Sequence, residues 1–244
     1  MLRLFLTVML VLVVPGRATA ESARIAVAAN FAATMERLET AFEAESGHQI
    51  ETSIGATGQL FAQIVNGAPF DAFLAADQER PAALLGEAKA LPGSGFTYAT
   101  GRLFFQVNRA AHLGPDGMPD FSAIRRIAIA NPRTAPYGAA AKEVLNRLGV
   151  NGPQIAQAQS VQGVSAVMEL GAADAGFVAY SSVAPLTPLL PAGWLVPQDL
   201  HAPLHQDAIL LIEGATNPAA VAFLGWLKGP VARGIIQGYG YHVD

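Results

Sequence analysis

Four times in this 244-residue chain a short apolar run ends in a small or polar residue and opens directly into a helical pattern, at residues 25–38, 52–64, 127–145 and 160–170. Short strands that alternate with helices pair side by side in the same direction, so the pattern predicts α/β lobes, each a mostly parallel sheet flanked by helices. Each junction also leaves several backbone N–H groups without intrahelical partners, and the helix dipole adds partial positive charge there. One such junction is an ordinary helix start. Four that converge make a cage of neutral donors suited to an oxyanion, so the expected function is binding a small anion rather than catalysis.

The amino terminus points to export. Arg3 is followed by an apolar run over residues 4–14 and by Ala18-Thr19-Ala20, the arrangement of a secretory signal peptide. Residues 1–20 are therefore expected to be removed, leaving a mature chain from about Glu21. The apolar run is shorter than the roughly 20 residues that a bilayer span needs, and no later window approaches that length, so the mature chain is expected not to be membrane-embedded. The sequence contains no cysteine, which excludes both a cysteine-linked lipid anchor and disulfides. Stability must come from the core, which a chain of about 224 residues can supply. Removing Arg3 and Arg17 lowers the basic count from 15 to 13 against 19 acidic residues, a net charge of −6. No basic stripe offers a nucleic-acid surface. The average field repels an anion as well, so capture has to rest on local donors.

Apolar spacing organises the rest. Phe31, Met35, Leu38 and Phe42 recur at helical intervals and Gly47 ends that helix. A strand over 49–54, a helix over 59–65, the Asn66-Gly67 turn, a strand over 72–75 and a helix over 78–87 follow. After the loop Pro92-Gly93-Ser94-Gly95, a strand over 102–107 opens a second βα series that runs through Val178. A last strand over 207–212 precedes helices over 218–227 and 230–239, each with proline in its first turn. Two βα clusters joined by two extended crossovers predict two lobes: residues 21–100 with 207–244, and residues 101–206. The crossovers are expected near residues 98–101 and 204–207.

At the junctions, Asn30 is placed as a helix N-cap between Ala29 and Phe31. Thr57 lies between glycines in Gly55-Ala56-Thr57-Gly58, where the backbone can approach a ligand closely. Tyr137 precedes the helix that carries Lys142 and offers both an N–H and a phenol hydroxyl, whereas Val161 offers only its N–H. Each has a plain structural reading too: a cap, a glycine-rich turn, a buried tyrosine and a core valine.

The phrases VAANFAATMERL, GATGQLFAQI with NGAPFDAFLAAD, NPRTAPYGAAAKEVL, GFVAYSS and FLGWLKGP with a terminal GYG together resemble the periplasmic molybdate-binding proteins of ABC transporters, in the same order along nearly the whole mature chain. The resemblance implies a two-lobed periplasmic binding protein fold of type II. In that fold molybdate or tungstate lies in the cleft between lobes, held by hydrogen bonds alone. It also implies a monomeric, periplasmic, non-enzymatic protein without cofactor or side-chain metal ligands, which delivers its anion to a permease and its ATPase. Carried over by motif, Asn30 matches a donor through side chain and N–H, Thr57 a hydroxyl donor, Tyr137 an N–H or hydroxyl donor and Val161 an N–H donor; Ala29 is a candidate for one further N–H. Some members carry a ligand-binding tyrosine before the segment that matches Ser181-Ser182. Here Ala179 aligns with it, and Tyr180 stands one step later, which in a strand reverses the face, so Tyr180 is a weaker ligand-binding candidate than Tyr137.

Two other readings stay open. A binding protein for sulfate, phosphate or an organic acid often recruits an arginine, and Arg133 is the junction-loop candidate. A serine hydrolase built on Ser165 or Ser181 needs a histidine within reach. The motifs of a zinc protease, a nucleophile elbow and a phosphate loop are absent. His201 and His205 form the one pair near metal-ligand spacing, and Asp71 and Asp77 flank a short apolar strand, where acids more often orient loops than catalyse.

Overall fold

The computed structural model describes residues 20–243; the expected signal peptide, residues 1–20, lies outside these apart from Ala20. In the first part of the chain, β1 (Ser22–Ala28) and a one-turn 3-10 segment (Ala29–Phe31) lead into α1 (Ala32–Ser46). Then come β2 (Gln49–Gly55), α2 (Thr57–Val65), β3 (Ala72–Leu74), α3 (Glu79–Gly86) and β4 (Phe96–Gly101). The middle of the chain contains β5 (Leu103–Val107), β6 (Arg126–Ala130), α4 (Pro136–Arg147), β7 (Gln154–Ala158), α5 (Val161–Glu169), β8 (Ala175–Ala179) and β9 (Gly193–Leu195). The chain returns through β10 (Leu204–Leu210) and closes with α6 (Pro218–Leu227) and α7 (Pro230–Gly238).

These strands form two five-stranded sheets, ordered β2-β1-β3-β10-β4 and β7-β6-β8-β5-β9. Each has a parallel three-strand part, as the βα alternation requires, and one strand that runs antiparallel to both neighbours. The reversed strand is β10 in the first sheet and β5 in the second. In both cases it is the strand by which the chain arrives from the other sheet, which explains why the sheets are mixed. Sheets flanked by helices and built on one plan twice give the two-lobed α/β architecture.

The first sheet buries the predicted stripe of α1: Met35 and Leu38 are fully buried and Phe42 nearly so. Phe31 meets Tyr98 and Tyr241 edge-on at ring-centroid distances of 4.8 and 5.4 Å. Gly47 ends α1 in the left-handed region at φ 75°, where glycine is favoured. At α6 the Asn217 side chain accepts from Ala219 N at 3.0 Å, a side-chain cap with Pro218 at the first helical position. In the second sheet Phe105 and Phe177 pack edge-on at 4.7 Å. Among the described residues no single helix is long and apolar enough to cross a membrane; α6 and α7 pass by composition only as a pair bent by 66°.

Between the sheets the chain crosses at β4–β5, where Arg102 alone separates two strands, and at the start of β10. The crossing strands β4 and β10 pair antiparallel, with Leu204 opposite Gly101 and a register shift between Gln206 and Asp207. The carboxyl-terminal tail joins them through two backbone hydrogen bonds between Thr100 and His242, at 2.8 and 3.0 Å.

Candidate functional site

The four junctions meet between the sheets. Ala29 and Asn30 occupy the 3-10 turn after β1. Helix α2 starts at Thr57 after extended Ala56, and α4 starts at Pro136 after extended Ala135, neither with a side-chain cap. Helix α5 starts at Val161 after Ser160, whose Oγ accepts from Gly163 N at 3.2 Å and leaves the earlier N–H groups of that turn free of it. These starts surround a small space lined by Ala29, Asn30, Thr57, Tyr137 and Val161, with Ala56, Ala76, Ala135 and Pro136 completing the wall. Among the described residues no charged side chain lines it. The first turns there present N–H groups and positive dipole ends to one small volume, which suits an anion.

The side chains differ in what they have left to donate. Thr57 is buried, and its Oγ1 accepts from Ala76 N at 3.3 Å, so its hydroxyl proton is available to another acceptor. Asn30 is not the expected N-cap. It sits inside the 3-10 turn, whose N-cap is Ala28. The Asn30 amide instead reaches across to donate to Gln206 Oε1 at 2.9 Å and to Tyr241 Oη at 3.0 Å. Any contact of that side chain with a ligand competes with these two bonds, whereas the backbone N–H does not. Tyr137 is buried, and its hydroxyl accepts from Gln206 Nε2 at 3.2 Å. Tyr180 is not brought to the space: its ring packs on Phe104 at 6.0 Å, lies under Arg102 at 5.0 Å and blocks any side chain at Gly240.

Beside the space runs a buried polar network that spacing alone does not reveal. Gln206, fully buried on β10, accepts from Asn30 and faces Tyr98 Oη at 3.0 Å, while its amide nitrogen donates to Tyr137. The Tyr98 hydroxyl also lies 3.0 Å from the Ala75 carbonyl oxygen. Ser181 Oγ donates to the Asn30 carbonyl oxygen at 2.9 Å, and Tyr241 Oη lies 2.8 Å from that oxygen and 2.9 Å from Ser181 Oγ. Burial is the main reason that the phenols of Tyr98 and Tyr137 are held well above the ordinary tyrosine range and that of Tyr241 is pushed up to about 12. All three therefore remain protonated at neutral pH. Nothing local marks these residues: Gln206 stands between His205 and Asp207, and Tyr241 follows the terminal Gly-Tyr-Gly rather than lying in it.

Comparison with known proteins places this geometry in a family. The pattern of the bacterial extracellular solute-binding proteins matches residues 23–242. The molybdate-binding protein ModA of Azotobacter vinelandii is 43% identical over 235 residues, covering 92% of this chain and 91% of the relative. The chain belongs to the ModA family of bacterial extracellular solute-binding proteins. A second ModA, from Rhodobacter capsulatus, is 42% identical over 219 residues, covering 88% and 86% of the two chains. The solved structure of the periplasmic molybdate-binding protein of Azotobacter vinelandii superposes with a TM-score of 0.86 at 35% identity, covering 91% of this chain and 99% of that one.

In this ModA-family chain the other candidate groups are engaged elsewhere. Arg133 lines a separate groove on the far side of Pro136 rather than the small space; its carbonyl accepts from Arg80 Nη2 at 3.2 Å. Asp77 orients α3 by accepting from Arg80 N at 3.0 Å and pairing with the Arg80 guanidinium; burial chiefly raises its carboxyl above the usual range. Asp71 accepts from Arg24 N at 2.6 Å. Both acids thus hold loops. His201 Nδ1 donates to the Ala202 carbonyl at 2.7 Å and His205 Nδ1 meets Thr100 Oγ1 at 3.0 Å. Among the described residues no cluster of three or more His, Cys, Asp or Glu is placed to hold a metal ion. The Ser181 hydroxyl is committed to the Asn30 carbonyl and Tyr241, and Ser165 lines a neighbouring space with Gln162 and Ser182.

Proposed function

We propose that this chain is an exported, non-enzymatic solute-binding protein that captures molybdate, and tungstate with it, and hands the anion to a membrane permease driven by an ATPase. The observation that carries the reading is the convergence of four helix or 3-10 starts on one small space lined only by neutral groups, in a chain whose relatives at 42–43% identity are molybdate-binding proteins. In this reading Thr57 and Tyr137 donate through hydroxyl and N–H, and Ala29, Asn30 and Val161 through N–H. The metal arrives wrapped in its own oxygens and needs no side-chain ligand or resident cofactor. Residues 21–100 with 207–244 and residues 101–206 act as two lobes of a periplasmic monomer, and residues 1–20 direct its export.

The magnitudes fit. Hydrogen bonds to charged groups contribute about 1.5–3 kcal/mol each, so six or so give a gross gain of roughly 9–18 kcal/mol. Lost ligand freedom and lobe closure take several kcal/mol of this and leave roughly micromolar to nanomolar binding. A donor cage sized for long metal–oxygen bonds holds the smaller sulfate loosely. Protonated phosphate brings an O–H that the cage, poor in acceptors, leaves unpaired. A ligand that binds only the folded chain raises its unfolding temperature. Millimolar molybdate should therefore raise the melting temperature of the mature protein well beyond the effect of equal sulfate; identical shifts would remove molybdate as the specific ligand.

A further inference from the structure

Gln206 carries no part of the anion cage, yet it is fully buried and bonded to one candidate donor from each lobe. It lies at the register shift of the crossing strand β10, where the chain passes between the sheets. Its Oε1 accepts from Asn30 Nδ2 at 2.9 Å and faces Tyr98 Oη at 3.0 Å, which leaves Nε2 to donate to Tyr137 Oη at 3.2 Å. A phenol has one proton and accepting lone pairs. When Gln206 occupies a lone pair of Tyr137, the Tyr137 proton must point elsewhere, and Tyr137 lines the space that the four junctions enclose.

We infer that Gln206 is a positioning residue for anion capture, which aims the Tyr137 hydroxyl proton into the cleft while its other end anchors Asn30 in the opposite lobe. Gly101 supports the arrangement sterically. A Cβ at Gly101 would stand 2.1 Å from Tyr137 Oη and 2.6 Å from Gln206 Nε2, so only glycine there leaves room for the phenol to meet the amide. The groups that face the Tyr137 hydroxyl from other elements are Gln206, Tyr98 and Tyr241, and Tyr241 shares a hydrogen bond with it, so an anion draws the proton away from Tyr241. All three are neutral, so a doubly negative oxyanion is by far the strongest acceptor the proton can reach. The bond between Gln206 and Tyr137 also joins β10 of the first sheet to α4 of the second. This inference rests on the molybdate reading.

A double-mutant cycle tests it, with molybdate titrated calorimetrically into the mature protein. Loss of one hydrogen bond to a charged group corresponds to about a tenfold to hundredfold loss of affinity. Gln206→Met, close in volume and unable to donate, should weaken molybdate about tenfold in the parent chain and less than about twofold in a Tyr137→Phe background, because the hydroxyl it aims is already gone. Equal losses in both backgrounds, or no loss in the parent, would overturn the inference while parental binding keeps the molybdate reading intact. Absence of binding in the parent would remove both. Melting curves without ligand separate the effect from a general loss of folding, which would weaken binding additively.

Discussion

Thr57 shows how a single residue serves two partners at once. Its N–H opens α2, its Oγ1 accepts from Ala76 N, and its hydroxyl proton is left over. Thr57→Ala should accordingly weaken molybdate by about 1–3 kcal/mol, the cost of one donor to a charged group. Titration calorimetry reads this directly, and unchanged affinity would take Thr57 out of the site. That Thr57 and Tyr137 line the junction space was legible in the sequence because each stands at the turn from an apolar run into a helix, where backbone donors gather for local reasons, whereas Val161 was picked out only by the family resemblance. Asn30 misled at the same kind of position. Its side chain obeys partners 176 and 211 residues away, Gln206 and Tyr241, rather than the adjacent helix start. Gln206 was illegible for the converse reason: nothing local distinguishes a buried network glutamine from one on the exposed face of a strand.

Periodicity carried most of the helices and strands. The stripe of Met35, Leu38 and Phe42 faces the core, and α6 occupies Pro218–Leu227, the predicted span. What escaped were elements whose length or pairing depends on distant strands. Three-residue β9 is held by β5, and β10 starts at Leu204, three residues before the predicted strand, because Leu204, His205 and Gln206 pair with β4. The Asn217 cap of α6 is local and far from the anion site, so Asn217→Ala should cost about 1 kcal/mol of stability. A lowered urea midpoint with unchanged molybdate affinity is the expected pair of results; weakened affinity would mean that α6 is coupled to the cleft. In contrast, α4 must approach β6 closely at Gly138, where a Cβ would fall 2.3 Å from the Ala130 carbonyl oxygen. That closeness is what delivers neighbouring Tyr137 to the cleft.

At the scale of the whole molecule, the two lobes lie together. Gly58 N donates to the Thr134 carbonyl at 2.8 Å, Gln59 Nε2 to Gln159 Oε1 at 3.2 Å, and Arg80 Nη2 to the Arg133 carbonyl. All of these bonds cross from the first sheet's elements to the second's. These three are polar and mostly exposed, whereas Ser181 to the Asn30 carbonyl, Tyr241 to Ser181 and Gln206 to Tyr137 cross as buried hydrogen bonds, and an anion bridging both lobes should shift the balance further toward the closed form. Small-angle scattering should show a smaller radius of gyration with molybdate than without; superimposable curves would contradict ligand-driven closure. Composition had pointed the same way, since a chain of net charge −4 must capture an anion through local donors and cannot rely on its overall field. The most direct measurement is isothermal titration of the mature protein with molybdate, tungstate, sulfate and phosphate at neutral pH. The account predicts tight one-to-one binding of molybdate and tungstate, with sulfate weaker by at least about a hundredfold, roughly 2.7 kcal/mol. Equal affinity for sulfate, or no heat with any of the four, would contradict it.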